Sequence, residues 1–259
     1  EPGYRLLWAG NFLAQASRWI QVTLLSWLVL TLTDSPWHVA LVGFFALVPQ
    51  LLLGLVGGVL ADRVDRRMVL VSTQTVSMLA SGGMMALLLT DSAQYWHAYP
   101  TILVSGIAQA LDNPSRRSAI HDLLGGAGLT NAMALDTMAF NASRLVGPMV
   151  AGGLIALVDV SGGYVVVTTL NAVAVMLMWS LRLSRGAGHH RGPEGLIRNL
   201  VDGFRYVRGH RTILAALLVT AMMNFAVFSY IQMVPVIGRD TLGVGPGLIG
   251  VLMAADGVG

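Results

Sequence analysis

Residues Gly57 to Leu70 read GGVLADRVDRRMVL and place five charged side chains within six consecutive positions. The run before this cluster, Trp37 to Ala61, contains no Arg, Lys, Asp or Glu, and neither does the run after it, Met68 to Thr90. Each run exceeds the roughly 20 residues that a helix needs to cross about 30 Å of hydrocarbon. The charged cluster is therefore predicted to be a very short turn between two membrane-spanning helices.

The composition of the whole chain agrees with a membrane protein. Of its 259 residues, 55% are hydrophobic and only 11% are charged, against about 25% charged in ordinary soluble domains. All 16 basic residues are Arg, and they fall in short loops rather than on one face of a soluble domain, which argues against nucleic-acid binding. The absence of Cys excludes disulfides and thiolate metal sites. No glycine-rich phosphate loop with a Lys is present, so we expect no cofactor, no metal and no enzymatic activity.

The apolar runs predict an all-α polytopic membrane protein with seven spans and the beginning of an eighth. The predicted spans are residues 6–32, 37–61, 68–90, 100–118, 132–158, 164–181 and 212–237, with the eighth starting at 248. A loop rich in glycine at 125–128 separates spans four and five, and Ser161 to Gly163 is predicted to turn the chain into span six. Because the chain opens on Glu1 and stops at Gly259 inside an apolar stretch, we expect it to be a fragment.

These spans divide the chain into three predicted parts. Residues 1–181 form a six-span half, 182–211 form a polar connector, and 212–259 begin a second half. Apolar residues recur at helical spacing between Leu196 and Val207, which is typical of an amphipathic helix on a membrane surface.

The distribution of arginines predicts the orientation of the spans. Thirteen of the 16 Arg residues fall on the side that holds the N-terminus, the charged turn and the connector. The positive-inside rule places that side in the cytoplasm. We therefore expect a protein of the bacterial inner membrane with its N-terminus inside the cell.

Polar residues within three spans share one helical face each and are predicted to line a translocation path. Ionisable residues within membranes are costly and usually face a protein interior or a wet cavity. For Asp112, a structural pair with Arg116 four residues on is the favoured interpretation, and proton coupling is the alternative. For Arg18 and Arg144, contact with the path is favoured over bonds to backbone carbonyls. The predicted path residues are Asn11, Gln15, Arg18, Gln109, Asp112, Asn141 and Arg144.

Spans three and six carry no charged residue, only hydroxyls and single amides such as Gln74 and Asn171. They are therefore predicted to be lipid-like.

The charged turn also resembles a known family. The order Gly58-x-Leu60-Ala61-Asp62-Arg63-x-x-Arg66-Arg67 resembles the signature loop between the second and third spans of the major facilitator superfamily, with Asp65 where that family usually has Gly. The stretches at 4–8, 111–117 and 131–135 resemble the branch of bacterial exporters that includes enterobactin exporters and macrolide efflux-type permeases.

This resemblance implies a major facilitator fold and a conformational latch at the turn. In that latch Asp62 would hold the N-terminal end of a helix in the other half, and Arg66 would pair with Asp112 or Asp122. The alternative is that the turn is only a topogenic charge signal. The implied latch residues are Gly58, Asp62, Arg63, Asp65, Arg66 and Arg67.

A second motif lies in span five, where residues 147–153 read GPMVAGG. It resembles the Gly-Pro-x-x-Gly-Gly motif of the family's antiporters, with Gly147, Pro148 and Gly152 matching and Ala151 replacing one Gly. Pro148 removes a backbone donor and can bend the helix, and small residues permit close helix contact. Ordinary Gly/Ala packing is the alternative interpretation of this stretch.

The resemblance implies a secondary transporter that exports a small molecule of the drug, macrolide or siderophore class. Export would occur by proton antiport with alternating access, in a monomer whose partners are the substrate, protons and the lipid bilayer. Alternatives are an importer of the same superfamily, a lysophospholipid transporter or a non-transporting membrane scaffold. A membrane enzyme would need a catalytic constellation at one interface, and the sequence offers none.

Overall fold

The computed structural model describes residues 2–63, 65–181, 205–222 and 228–255. Helices α1 (Pro2–Thr33), α2 (Pro36–Arg63) and α3 (Arg66–Leu89) are followed by one long helical stretch, Ala98–Ser180. That stretch is interrupted by non-helical backbone at Gly125 and at Val158 and Asp159. It therefore forms three helices, α4 (98–124), α5 (126–157) and α6 (160–180), which confirms the predicted all-α fold.

The later part of the chain adds two further helices and several short turns. Helix α7 is Arg211–Met222 and helix α8 is Pro246–Ala255. Between them the chain makes short helical turns at Phe228–Met233, Val234–Val236 and Ile237–Thr241, and a similar turn at Tyr95–His97 precedes α4. The predicted loop at 238–247 is thus helical in its first residues. Most of the connector, with its predicted amphipathic helix, lies outside the described residues.

Tight turns join successive antiparallel helices, and the two ends of the bundle use different residues. At one end Asp34, Asp91 and Asp159 adopt positive φ angles of 51°, 52° and 59°. Asp tolerates this left-handed conformation better than most residues because its short side chain bonds locally. At the other end the chain turns at Gly125, with φ 61°, and α2 is followed by α3. We call these the aspartate end and the arginine end.

The prediction that Ser161 to Gly163 turn the chain into span six is wrong. The break lies at Val158 and Asp159, and the glycines belong to helix α6. Gly163 instead allows close approach of α6 to α1, because a Cβ atom there would lie 2.8 Å from Cδ2 of Leu24. Adjacent glycines usually mark a turn, but in a membrane bundle they equally mark a helix contact.

The interior of the six-helix bundle is layered. One apolar cluster near the arginine end contains Leu7, Leu70, Ile120 and Met178. A larger apolar cluster toward the aspartate end includes Leu24, Val39, Ile102, Tyr164 and Val167. The buried residues between these clusters along α1, α3, α4 and α6 are largely polar. The polar layer therefore lies midway along the helices, where a membrane is driest.

This polar layer lowers the hydropathy of the helices that line it. Among the described residues, only the stretch 128–180 is long and apolar enough by itself to cross a membrane. Its 53 residues would extend about 80 Å as one helix, and the break at Asp159 divides it into two crossings. Helix α1 carries Asn11, Gln15 and Arg18 on its inner face, which lowers its hydropathy without shortening it.

Candidate functional site

A polar chamber with an interior of about 40 Å³ lies within the layer between the two apolar clusters. That volume holds a few water molecules or one small ion. Helices α1, α3 and α4 supply most of the polar lining, and α6 contributes one amide. The lining consists of Ala14, Gln15, Ser17, Arg18, Gln21, Thr73, Gln74, Ser77, Ser105, Ala108, Gln109, Asp112, Arg116 and Asn171.

The chamber is centred on an ion pair between Asp112 and Arg116, both only 3% exposed. Oδ2 of Asp112 accepts from Nη2 of Arg116. Its other oxygen, Oδ1, accepts from Oγ1 of Thr73 (3.0 Å) and from Nε2 of Gln74 (3.2 Å). The carboxylate is therefore bound on both oxygens by α3 and α4, as a buried ion pair requires. This arrangement agrees with the structural pair favoured from the i, i+4 spacing.

Three glutamines link the chamber to the surface of the bundle. Nε2 of Gln109 donates to Oε1 of Gln15 (3.3 Å), and Nε2 of Gln50 donates to Oε1 of Gln109 (2.9 Å). Gln15 is buried, whereas Gln50 on α2 is exposed. A polar route thus runs from an exposed helix face into the interior of the bundle.

The predicted path residues separate into two groups. Gln15, Arg18, Gln109 and Asp112 line the chamber. Asn11, Asn141 and Arg144 do not, and their assignment to a substrate path remains a prediction. Asn11 donates to Oδ1 of Asp136, a half-buried acid on α5 that sequence reasoning missed.

Arg144 and Asn141 lie on α5 outside the chamber. The guanidinium of Arg144 lies over the ring of Trp19, with Cζ 5.9 Å from the ring centroid, a geometry in which the ring quadrupole attracts the cation. Asn141 is exposed. This contact does not decide whether Arg144 lines the path or bonds backbone carbonyls.

The prediction that spans three and six are lipid-like is wrong on their inner faces. Thr73 and Gln74 of α3 bind Asp112, and Asn171 of α6, 3% exposed, donates to Oγ of Ser81 (3.1 Å). These polar residues had no predicted role in the interior because spans three and six carry no charge. The spacing of Thr73, Ser77 and Ser81 at intervals of four residues was the signal that could have revealed a polar face on α3.

The signature turn fixes three helix ends at the arginine end. Asp65 caps α3, since its Oδ1 accepts from the backbone N–H of Arg67 (2.9 Å), which gives a reason for Asp rather than Gly here. Arg66 forms an ion pair with Asp122, one of the two acids that the sequence left open. Arg67 donates to the carbonyl of Trp179 near the end of α6. The side chains of Asp62 and Arg63 and the surroundings of Gly58 lie outside what the structure describes.

We expect reversal of one charge in the Arg66–Asp122 pair to weaken the arginine end. The two side chains are about a quarter exposed, so Arg66→Asp should cost about 1 kcal/mol of stability or slightly more. The measurement is the thermal unfolding midpoint of the detergent-solubilised full-length protein. The double variant Arg66→Asp/Asp122→Arg should recover most of the loss; a double variant less stable than the single one would contradict the pairing.

At the aspartate end, the later helices contact the six-helix bundle. Arg239, just after the Val234–Val236 turn, binds Asp34 and Asp240 and donates from Nη1 to the carbonyl of Leu30 (3.3 Å). The pKa of Arg239 lies above its ordinary value, chiefly because its guanidinium donates a hydrogen bond to Asp240. Desolvation lowers this pKa, and the hydrogen bond to Asp34 raises it further. Oγ of Ser26 also donates to Oε1 of Gln232 (3.0 Å). Several polar contacts therefore hold the two parts of the chain together at this end.

The second motif lies at a helix crossing between α5 and α8. A Cβ atom on Gly152 would lie 2.6 Å from the carbonyl oxygen of Pro246 and 3.0 Å from Cα of Gly250. Ala151 is fully buried, and a Cβ on Gly147 would lie 2.5 Å from Cβ of Trp19. Gly147 and Gly152 thus allow α5 to contact α1 and α8 respectively. Both motifs carry helix contacts in this structure.

An α-helical bundle with a polar layer at mid-depth is typical of the class of α-helical membrane transporters. A family model described as transmembrane secretion effector matches residues 1–259, so the chain belongs to that family of major facilitator superfamily transporters and not to the enzymes.

Two relatives of this chain are named as a transporter and an efflux pump. The chain is 25% identical to the staphyloferrin A transporter of Staphylococcus aureus (strain NCTC 8325 / PS 47), over 98% of this chain and 64% of that protein. It is also 25% identical to the multidrug efflux pump Tap of Mycobacterium tuberculosis (strain ATCC 25618 / H37Rv), over 82% of this chain and 52% of that protein. The chain thus spans less than two thirds of the length of these relatives.

Two solved structures share the fold. A bacterial homologue of the human lysosomal transporter Spinster, in an inward-facing and unoccupied conformation, superposes with a TM-score of 0.76 at 16% identity, over 99% of this chain and 60% of that one. A D-xylose-proton symporter superposes with a TM-score of 0.70 at 14% identity, over 98% of this chain and 65% of that one. At these identities the likeness concerns the fold alone.

Proposed function

We propose that the full-length protein exports a small molecule of the drug, macrolide or siderophore class from the bacterial cytoplasm. The observation that carries this proposal is the crossing of α5 and α8 at Gly152, within a motif that resembles that of the family's antiporters. The names of the relatives support the substrate range, since one transports staphyloferrin A and another is a multidrug efflux pump. The protein would act as a monomer.

The proposed mechanism is alternating access coupled to protons. Residues 1–181 and the part beginning at 212 would rock against each other about a site at mid-depth, with residues 182–211 as their cytoplasmic connector. The contacts of Arg239 with Asp34 and of Gly152 with Gly250 would close the aspartate end in one state. Breaking them would open that end, which the positive-inside rule places outside the cytoplasm.

A transport assay in an efflux-deficient bacterial strain carrying the full-length gene tests this function. Cells would be loaded with ethidium, with a macrolide or with a siderophore, and retained substrate would be measured with and without a protonophore. Export predicts lower retention that the protonophore abolishes. Increased accumulation would instead identify an importer, and unchanged retention of all three substrates would overturn the proposed substrate range.

We expect Arg144→Ala to lose export in this assay while the protein still inserts into the membrane. The reason is that Arg144 holds a charge within a span beside Trp19, and such charges are functional more often than structural. Amounts of protein in isolated membranes would be compared by immunoblot. Arg5→Ala is the matched control, because Arg5 is exposed near the start of α1 and should tolerate the change. Full export by Arg144→Ala would assign Arg144 to packing.

A further inference from the structure

The charges in the polar chamber do not balance. Its lining contains two guanidinium groups, those of Arg18 and Arg116, but a single carboxylate, that of Asp112. Both carboxylate oxygens of Asp112 already accept hydrogen bonds, which come from Arg116, Thr73 and Gln74. Arg18 donates only weakly to the backbone carbonyl of Ser105, at 3.5 Å, and forms no ion pair within the described residues. Asp136 of α5 is close enough to Arg116 to interact with its charge, but it accepts from Asn11 and lies outside the lining. The lining itself therefore carries one positive charge in excess.

The same chamber contains hydrogen-bond donors that lack an acceptor. Nε and Nη1 of Arg116 have no partner among the described residues. Arg116 is 3% exposed, so bulk water does not reach these groups freely. A buried donor left without an acceptor costs about 1–3 kcal/mol, and more when it is charged. The chamber therefore lacks a hydrogen-bond acceptor for the guanidinium of Arg116.

The surroundings strengthen the attraction for a negative group. The apolar clusters around Leu70 and Ile120 on one side and around Leu24 and Ile102 on the other separate the chamber from both ends of the bundle. In such a low-dielectric region a charge interaction is several times stronger than in water.

We propose that the polar chamber is a binding site for a monovalent anionic group, held between Arg18 and Arg116. The group is either a free inorganic anion such as chloride or the carboxylate of an organic molecule. Both satisfy the free N–H groups of Arg116 and balance the charge of Arg18. This site lies within the six-helix bundle and does not depend on the direction of transport or on its coupling.

Anion-dependent stability of the purified full-length protein tests the proposal. The protein in detergent would be prepared in sulfate, a larger divalent anion, and chloride or acetate would replace sulfate at constant ionic strength while the thermal unfolding midpoint is measured. Binding to the folded state alone raises the midpoint in a saturable manner. Saturation with chloride identifies an inorganic anion site, and saturation with acetate but not chloride identifies a carboxylate site. A shift that is linear and equal for both anions would overturn the proposal.

Variants assign any binding to the chamber. The double variant Asp112→Asn/Arg116→Gln removes the donors of Arg116 without leaving Asp112 unpaired, and it should weaken binding about 10- to 100-fold, since a hydrogen bond to a charged group contributes about 1.5–3 kcal/mol. Arg18→Gln should weaken binding similarly. Arg117→Gln is the control, because Arg117 is adjacent but exposed. Equal loss in all three variants, or no loss in any, would contradict the assignment.

A second measurement avoids the need for folded variants. Rapid exchange of chloride with a protein site broadens the chloride NMR line in proportion to the bound fraction. The wild-type protein should broaden the line, and acetate in excess should narrow it again if both bind at one site. Line widths equal to those of the detergent buffer, together with a non-saturable thermal shift, would show that the chamber holds only water.

Discussion

Gly152→Leu is expected to abolish transport by the full-length protein without preventing its insertion into the membrane. A Cβ atom at this position would meet backbone atoms on α8, at 2.6 Å from the carbonyl oxygen of Pro246 and 3.0 Å from Cα of Gly250. Backbone cannot rotate away as a side chain does, so the two helices would have to separate. Overpacking of this kind costs roughly 1–3 kcal/mol or more, enough to shift a two-state equilibrium about 5- to 150-fold.

The matched control for this prediction is the next residue along the chain. A Cβ atom on Gly153 would have no described atom within 4 Å, so Gly153→Leu makes the same chemical change on the same helix with open space around it. Substrate export and the amount of protein in the membrane would be measured for both variants. Gly153→Leu should export like the wild type. Export by Gly152→Leu equal to that of Gly153→Leu would show that the α5–α8 contact is not needed for transport.

The state in which the Gly152 variant accumulates can be measured as well. The 259 residues contain no Cys, so single cysteines can be introduced within them as reporters. A cysteine at Ser35, close to Asp34 at the aspartate end, should react faster with a membrane-impermeant reagent in Gly152→Leu than in the wild type. Slower labelling would mean that the variant closes that end instead of opening it.

The sequence predicted those parts of the fold that follow from local signals. Apolar runs longer than a membrane is thick located the helices, and the cluster at 62–67 located the turn between α2 and α3. The break between α5 and α6 was misplaced because Gly162 and Gly163 resemble a turn, whereas Asp159 makes it. Local sequence cannot tell a glycine that bends the chain from one that admits a neighbouring helix, since the neighbour is remote in sequence.

The candidate site was predicted in part for the same reason. Helical spacing placed Gln15 and Arg18 on one face of α1 and predicted the Asp112–Arg116 pair within α4. It could not show that Gln74 of α3 binds Asp112, because that contact joins residues 38 positions apart. Nor could it choose between Asp112 and Asp122 as the partner of Arg66, since both lie on α4. The roles of Asn11, Asn141 and Arg144 in a substrate path remain predictions.

The second large effect is expected at the ion pair inside the chamber. Asp112→Leu would leave Arg116 as a buried charge next to Thr73 and Gln74, whose donors lose their acceptor as well. Removing one partner of a buried ion pair typically costs about 3–5 kcal/mol. We therefore expect the variant to unfold at a clearly lower temperature than the wild type, or to aggregate on extraction from the membrane.

Restoring neutrality separates the effect of charge from that of packing. Asp112→Leu/Arg116→Leu replaces the pair by apolar side chains, and replacing a buried pair in this way is often neutral or stabilising. The double variant should therefore regain most of the stability lost by Asp112→Leu, as measured by the thermal unfolding midpoint in detergent. Thr73→Val, which removes one hydrogen bond, should cost only about 1 kcal/mol. If the double variant is no more stable than Asp112→Leu, the loss arises from packing and the buried charge of Arg116 is not its cause.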